Sequence, residues 1–227
     1  MSIRFRTAEP ADYPAIAALW QEAFGDPEAA VSDFFAAFPP CISYVAEANG
    51  SVVSMVHALP QVLKPEGPAA YLYAVATRSD CRGRGLCRSL LAFAERDLLA
   101  RGFLWAVLTP GEPGLFQFYE RLGYRTAFYR SRHPLPGGAP VSPEEYLHLR
   151  ENLLTGPHMV YDLPTLEYAQ RVYDLTFYRT AYGCAAAGPD YTAEVLPDDL
   201  DGPPFAMARR LDGGPGELHG YLGFALE

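Results

Sequence analysis

The chain has 227 residues, 18 of them basic and 27 acidic, which gives a formal net charge of −9. Hydrophobic residues make up 49% and charged residues 20%, enough apolar surface to offset chain entropy, so intrinsic disorder is excluded as the main state. No run approaches the ~20 apolar residues of a bilayer-spanning helix, and the acidic balance argues against nucleic acid, because nothing repays bringing net negative charge up to a phosphate backbone.

The N-terminal Met1-Ser2-Ile3-Arg4-Phe5-Arg6 lacks the apolar core of a signal peptide. Cys41, Cys81, Cys87 and Cys184 are spread without metal-ligand spacing and form no CxxC pair. Reduced thiols in a cytoplasmic protein without a metal are therefore expected. The acidic surface suits cationic small molecules or amines.

Ile3 to Arg6 alternates apolar and basic, as a half-buried strand does. Thr7-Ala8-Glu9-Pro10 starts a helix that carries Ile16, Leu19, Trp20, Ala23 and Phe24 at helical spacing and stops at Gly25-Asp26-Pro27. A second helix is expected over about Glu28 to Phe38, before Pro39-Pro40. Ile42 to Glu47 and Val52 to Leu59 form a hairpin around Asn49-Gly50. A loop at Pro65-Glu66-Gly67-Pro68 leads to Ala70–Thr77, a near-continuous apolar run typical of a strand covered on both faces.

A polar turn rich in glycine and arginine spans Arg78 to Gly85. A helix follows from about Leu86 to Ala100, then a buried strand over Phe103 to Leu108. A shorter helix runs from about Pro113 to Leu122, and a strand from Arg125 to Arg130. The order β-α-α-β-β-β-α-β-α-β is an α/β layer architecture. Pro134 to Pro140 reads as an inter-domain linker. Beyond it, Ser142-Pro143-Glu144-Glu145 has the form of a capping box, and Asp162 precedes a helix over about Leu163 to Tyr173. The remainder, from Thr176, reads as short strands and turns.

The chemistry concentrates in Val75-Ala76-Thr77-Arg78-Ser79-Asp80-Cys81-Arg82-Gly83-Arg84-Gly85-Leu86-Cys87. A buried strand empties into a glycine turn that opens a helix. The first helical N–H groups lack intrahelical acceptors and carry the positive end of the dipole. Gly83 and Gly85 let an anion approach the backbone, and Arg82, Arg84 and Arg88 add charge, so the segment suits a pyrophosphate. It is not a Walker A loop, lacking the Gly-Lys-Ser/Thr end, nor a dinucleotide fingerprint, lacking the third glycine.

Two segments together resemble the GNAT superfamily of acyl-CoA-dependent N-acetyltransferases. Arg82-Gly83-Arg84-Gly85-Leu86-Cys87 is similar to that family's Arg/Gln-x-x-Gly-x-Gly/Ala pyrophosphate loop. Phe118-Tyr119-Glu120-Arg121-Leu122-Gly123-Tyr124 is similar to its Phe-Tyr-Glu-Lys-x-Gly-Phe motif. Ile3-Arg4, Asp12-Tyr13-Pro14 and Leu19-Trp20 also look like its first strand and helix. The likeness covers about residues 1–132.

It implies an acetyl-CoA-binding catalytic domain over 1–132 with a mixed sheet, a linker over 133–142, and a small α+β domain over 143–227. The last could be a degenerate second GNAT-like half, a wall of the acceptor site, or a homodimer interface, for which its many tyrosines are suited. Val75, Ala76, Thr77, Arg82, Gly83, Arg84, Gly85, Leu86, Cys87 and Phe116 are implied to hold the cofactor. Tyr119 is implied as the general acid for the departing sulfur. Backbone N–H groups near Val75 would polarise the thioester carbonyl.

The departures are three. Cys87 stands where the family has Gly or Ala, and a helix N-terminus would lower its pKa. Thr109-Pro110 replaces an Asn at the end of the fifth strand. The fourth strand carries no carboxylate. The general base is left open between His57, Glu47, Asp33, Glu227 and a water chain, while Tyr71, Tyr73 and Trp105 are candidates to line an acceptor pocket. The expected activity is acetyl transfer to a small-molecule amine, with a non-catalytic acyl-CoA-binding regulatory module as the alternative.

Overall fold

The computed structural model describes residues 3–38, 41–129, 138–180, 183–188, 191–195 and 204–220, the stretch 191–195 by its backbone only. Glu227, one of the candidate bases, and residues 130–137 lie outside them.

The first part follows the expected order: β1 (Ile3–Thr7), α1 (Tyr13–Phe24), α2 (Glu28–Ala37), β2 (Ile42–Ala48), β3 (Ser51–Lys64), β4 (Gly67–Thr77), α3 (Leu86–Ala100), β5 (Trp105–Leu108), α4 (Pro113–Glu120) and β6 (Arg125–Tyr129). The later elements are β7 (Ala139–Val141), α5 (Pro143–Leu153), β8 (His158–Val160), α6 (Leu163–Val172), β9 (Thr176–Arg179), β10 (Cys184–Gly188), β11 (Tyr191–Val195) and β12 (Pro204–Arg210). Both later helices are capped: Ser142 Oγ accepts from the Glu145 N–H, and an Asp162 carboxylate oxygen from the Thr165 N–H, but the expected capping box at Ser142 forms only by this half, since the Glu145 carboxylate accepts from Arg179 instead.

The main sheet runs β1-β2-β3-β4-β5-β12-β6, with β8 added to β3. All of its pairs are antiparallel except β4–β5. Side chains alternate between two apolar layers, which is why its strands read as continuous hydrophobic runs. Trp105 and Val107 face the layer of α1 and α2, while Ala106 and Leu108 face that of α3 and α4. Among the described residues no helix is long and apolar enough to cross a membrane.

The stretch 143–227 is not set apart from the sheet. β12 lies between β5 and β6, and β8 pairs with the far end of β3. The second sheet, β11-β10-β9-β7, packs through Phe177, Cys184 and Ala186 into the same apolar cluster as Trp20 and Phe34. One continuous core therefore crosses the boundary expected near residue 132. The expected linker also carries structure: Ala139–Val141 pairs with Val141 opposite Phe177 and Pro140 opposite Tyr178. As β7 is an edge strand, Pro140 is tolerated there.

β3 runs to Lys64 rather than stopping near Leu59, and β4 begins at Gly67 within the expected loop. The two are one long hairpin closed by a tight turn.

Candidate active site

The site begins with an irregularity in β4. Met55 pairs with Ala76 and His57 with Tyr73, so β4 has one residue more than β3 across this interval. That extra residue is a β-bulge, and Ala74 adopts φ +48° there. A left-handed conformation at a non-glycine residue costs about 1–3 kcal/mol and concentrates at functional sites. Nothing in the sequence marks this position, since alanine is not a turn residue.

On its other side β4 pairs with β5 only through Ala69, Ala70 and Tyr71. Beyond Tyr71 the strands diverge, and a cavity of about 420 Å³ opens between them. Its lining includes Tyr73, Ala74, Val75, Leu108, Leu115 and Tyr119, with Trp20, Phe24 and Asp26 from the end of α1 and the turn after it. The Tyr71 hydroxyl donates to Thr109 Oγ1 at 2.9 Å, so Thr109, just past β5, is tied to β4 at the last paired position. A larger groove of about 570 Å³ lies between α2 and α6, lined by Asp33, Gln61, Asp162, Glu167 and Arg171 among others. It touches neither the bulge nor the glycine turn.

The glycine turn leaves the end of β4. Thr77 O accepts from Arg82 Nε at 3.0 Å, and Arg84 Nη2 donates to Asp80 O at 3.1 Å. Gly83 and Gly85 have φ +74° and +75°, and a Cβ at either would meet nothing within 4 Å. Glycine is thus required by the backbone conformation, and the space above it is open to a ligand. Gly85 caps α3 and no side chain caps that helix, so its first N–H groups have no side-chain acceptor. Leu86 is buried as an anchor, while Arg82, Arg84 and Arg88 are exposed around the turn.

Tyr119 is 6% exposed and its ring packs edge-on against Phe118 and Tyr124, at 5.1 and 5.7 Å between centroids. Its hydroxyl has no hydrogen-bond partner among the described residues. Burial, and next the Cys87 thiol, hold the phenol well above its ordinary pKa. It stays protonated at neutral pH, as a proton donor must. Phe116, on the same helix, sits in the margin of the core, and Leu115 lines the cavity in its place.

Several expectations are corrected. Cys87 is not activated by the helix N-terminus: burial pushes its thiol up to about 12. Trp105 is 1% exposed in the core and does not line the cavity. His57 is fully buried, shares a 2.8 Å hydrogen bond with Ser43 Oγ, and lies 5.2 Å from the rings of Trp20 and Phe35. Burial depresses it to about 3, so it is neutral and enclosed. Glu47 accepts from Arg6 at 2.9 and 3.1 Å, and Asp33 pairs with Arg171 beside the larger groove. None of these three lines the cavity. Tyr71 and Tyr73 do.

Asp26 was legible only as part of a helix stop, yet it brings a carboxylate to the cavity. Tyr173 likewise follows an ordinary helical run, and its hydroxyl reaches that of Tyr73 at 3.0 Å.

A family model described as an acetyltransferase (GNAT) domain matches residues 4–127. No curated protein matches the chain significantly. Among solved structures, an Enterococcus faecalis protein of unknown function, described as a probable N-acyltransferase, is 17% identical over 93% of this chain and 73% of its own, at a TM-score of 0.67. A GCN5-related N-acetyltransferase from Kribbella flavida is 13% identical over 93% of this chain and 72% of its own, at a TM-score of 0.63. At these identities the likeness is one of fold, and it extends through the later elements as well as the first six strands.

Proposed function

The chain belongs to the GNAT acetyltransferase family, and from that premise we propose that it transfers an acetyl group from acetyl-CoA to an amine, with Tyr119 as general acid. The observation that carries this reading is the single cavity in which the β4 bulge, the diverging β4–β5 edge and the buried Tyr119 hydroxyl meet.

The chain has the parts that such a donor needs. The uncapped start of α3 and the glycine turn would hold the pyrophosphate, with Arg82, Arg84 and Arg88 adding charge. Val75, Ala76 and Thr77 would run beside the pantetheine arm, and the extended edge of β4 offers it backbone groups left without a β5 partner. Acetyl-CoA supplies a thioester carbonyl already activated toward amines. Backbone N–H groups at the bulge would stabilise negative charge as it develops on the carbonyl oxygen. Tyr119 would donate its proton to the departing sulfur, and burial matches this role by keeping the phenol neutral.

In this reading no metal takes part, the acceptor is a small-molecule amine, and the protein works in the cytoplasm. The stretch 143–227 supports the acceptor side, because Tyr173 backs the cavity-lining Tyr73. A homodimer through its exposed face is a further expectation, checked by sedimentation.

Calorimetric titration with acetyl-CoA, paired with free-thiol release over an amine panel, tests the proposal. Gly85→Asp places a side chain in the left-handed position and a negative charge in the cradle, and is expected to weaken acetyl-CoA binding by at least about tenfold, equivalent to about 1.4 kcal/mol. Unchanged affinity would reject the loop assignment. Binding without any thiol release would favour a non-catalytic acyl-CoA-binding module.

A further inference from the structure

The outer wall of the cavity is built from residues that acyl activation does not use. Gly25 ends α1 at φ +79°, its N–H bonded to Gln21 O. The tight exit places Asp26 against the helix it has just left, where the Trp20 indole Nε1 donates to Asp26 Oδ2 at 2.8 Å. That bond occupies one carboxylate oxygen and leaves acceptor capacity on the other. Phe24 stands beside it, 48% exposed, its ring 6.0 Å from Trp20. Tyr73 lies 5.7 Å from the same indole. A carboxylate tied to the Trp20 indole thus shares the cavity lining with three aromatic residues, Trp20, Phe24 and Tyr73, and none of the described residues lining the cavity is basic.

A negative charge and aromatic rings in one lining that holds no basic described residue make a receptor for a positive group. We propose that Asp26 receives the acceptor as an ammonium ion, and that the acceptor is a primary amine on an apolar body with no carboxylate or phosphate next to the nitrogen. This rests on the acetyl-transfer reading above and narrows its substrate class. An anionic group beside the amine would meet Asp26 without any counter-charge. The exposed Phe24 ring offers the apolar body a surface to cover.

The proton balance is consistent with that placement. The bound ammonium first loses one proton to water. The neutral nitrogen bonds to the acetyl carbon, which makes it acidic, and its second proton passes to Asp26 directly or through water. The carbon–sulfur bond breaks as sulfur takes the Tyr119 proton. Solvent then resets the carboxylate and the phenol, so one amide, one thiol and one free proton result.

The test compares matched pairs, 2-phenylethylamine with phenylalanine and isopentylamine with leucine, by thiol release from acetyl-CoA. The amines are expected to exceed their amino acids in kcat/KM by at least tenfold. Asp26→Asn keeps an oxygen for the Trp20 indole and removes only the charge. It is expected to lower kcat/KM for the amines by tenfold or more, to narrow the amine-over-amino-acid preference, and to leave acetyl-CoA affinity by calorimetry unchanged. Equal or better turnover of the amino acids, no turnover of the amines by protein that binds acetyl-CoA, or parental kinetics in Asp26→Asn would each overturn the inference alone. Failure of the parent protein to bind acetyl-CoA would instead remove the acetyl-transfer reading, and this inference with it.

Discussion

The hydroxyls of Tyr73 and Tyr173 lie 3.0 Å apart across 100 residues of chain. Tyr73 belongs to the bulged half of β4 that lines the cavity, and Tyr173 caps the C-terminus of α6. Their contact links the cavity directly to the later part of the fold. Burial, and next the neighbouring Tyr73, raise the Tyr173 phenol far above its ordinary range, so Tyr173 is neutral in this contact. Tyr173→Phe keeps the ring and removes the hydroxyl, and is expected to cost about 0.5–1.5 kcal/mol in urea unfolding. A double-mutant cycle with Tyr73→Phe should return a coupling of similar size. Strict additivity would mean that the two hydroxyls do not act on each other.

Tyr119→Phe preserves the packing against Phe118 and Tyr124. If the phenol protonates the departing sulfur, kcat is expected to fall by on the order of 10²–10⁴ with acetyl-CoA affinity nearly kept. Single-turnover kinetics isolate the chemical step. Parental rates there would return Tyr119 to a packing role.

His57 sets an acid dependence of stability. Its folded pKa is held near 3 by burial, whereas an unfolded imidazole titrates near ~6.5. The contribution is therefore full above ~6.5 and is lost as pH falls toward 3, with a limiting slope of about 1.4 kcal/mol per pH unit, because only the unfolded chain takes up the proton. Urea unfolding of the parent and His57→Phe between pH 7.5 and 4.5 is expected to show the steeper decline in the parent. Parallel curves would mean that the imidazole is protonated in the folded state.

A chain ending at residue 132 would lack β12. Ala206 and Met207 are 0% and Ala208 1% exposed, and Arg209 Nη1 donates to the buried Glu95 at 2.7 Å, next to the Tyr124 hydroxyl on the same carboxylate. Without that strand β5 and β6 would face an empty slot, and Glu95 would lose its cation. Such a chain is expected to lack cooperative unfolding and to self-associate. A monomeric fragment with a sharp transition would show that the first 132 residues fold independently after all.

Much of the first half was legible because its signals are local. Alternation in Ile3 to Arg6, the Asn49-Gly50 turn and the helical spacing of Ile16, Leu19 and Trp20 each report one element through neighbours a few residues away. The glycine turn could be read for the same reason: Gly83 and Gly85 are needed where the backbone itself turns left-handed. The composition of the later half was less informative. Ala139–Val141 carries a proline and lies in a Pro/Gly-rich stretch, so it looked like a linker. Pro204–Arg210 has little to distinguish it from a turn-flanked apolar run.

By itself, then, the sequence determined the element order of the first 129 residues, the glycine turn before α3, and the place of a tyrosine on α4. These follow from backbone propensity and spacing, which are properties of short segments. Only the tertiary structure decided that β12 lies between β5 and β6, that the bulge falls at Ala74, that His57 and Trp105 are enclosed, and that Asp26 and Tyr173 reach the cavity or its wall. Each of those depends on strand pairing and packing between residues tens to a hundred positions apart, where the free energy comes from complementary surfaces that no single segment contains.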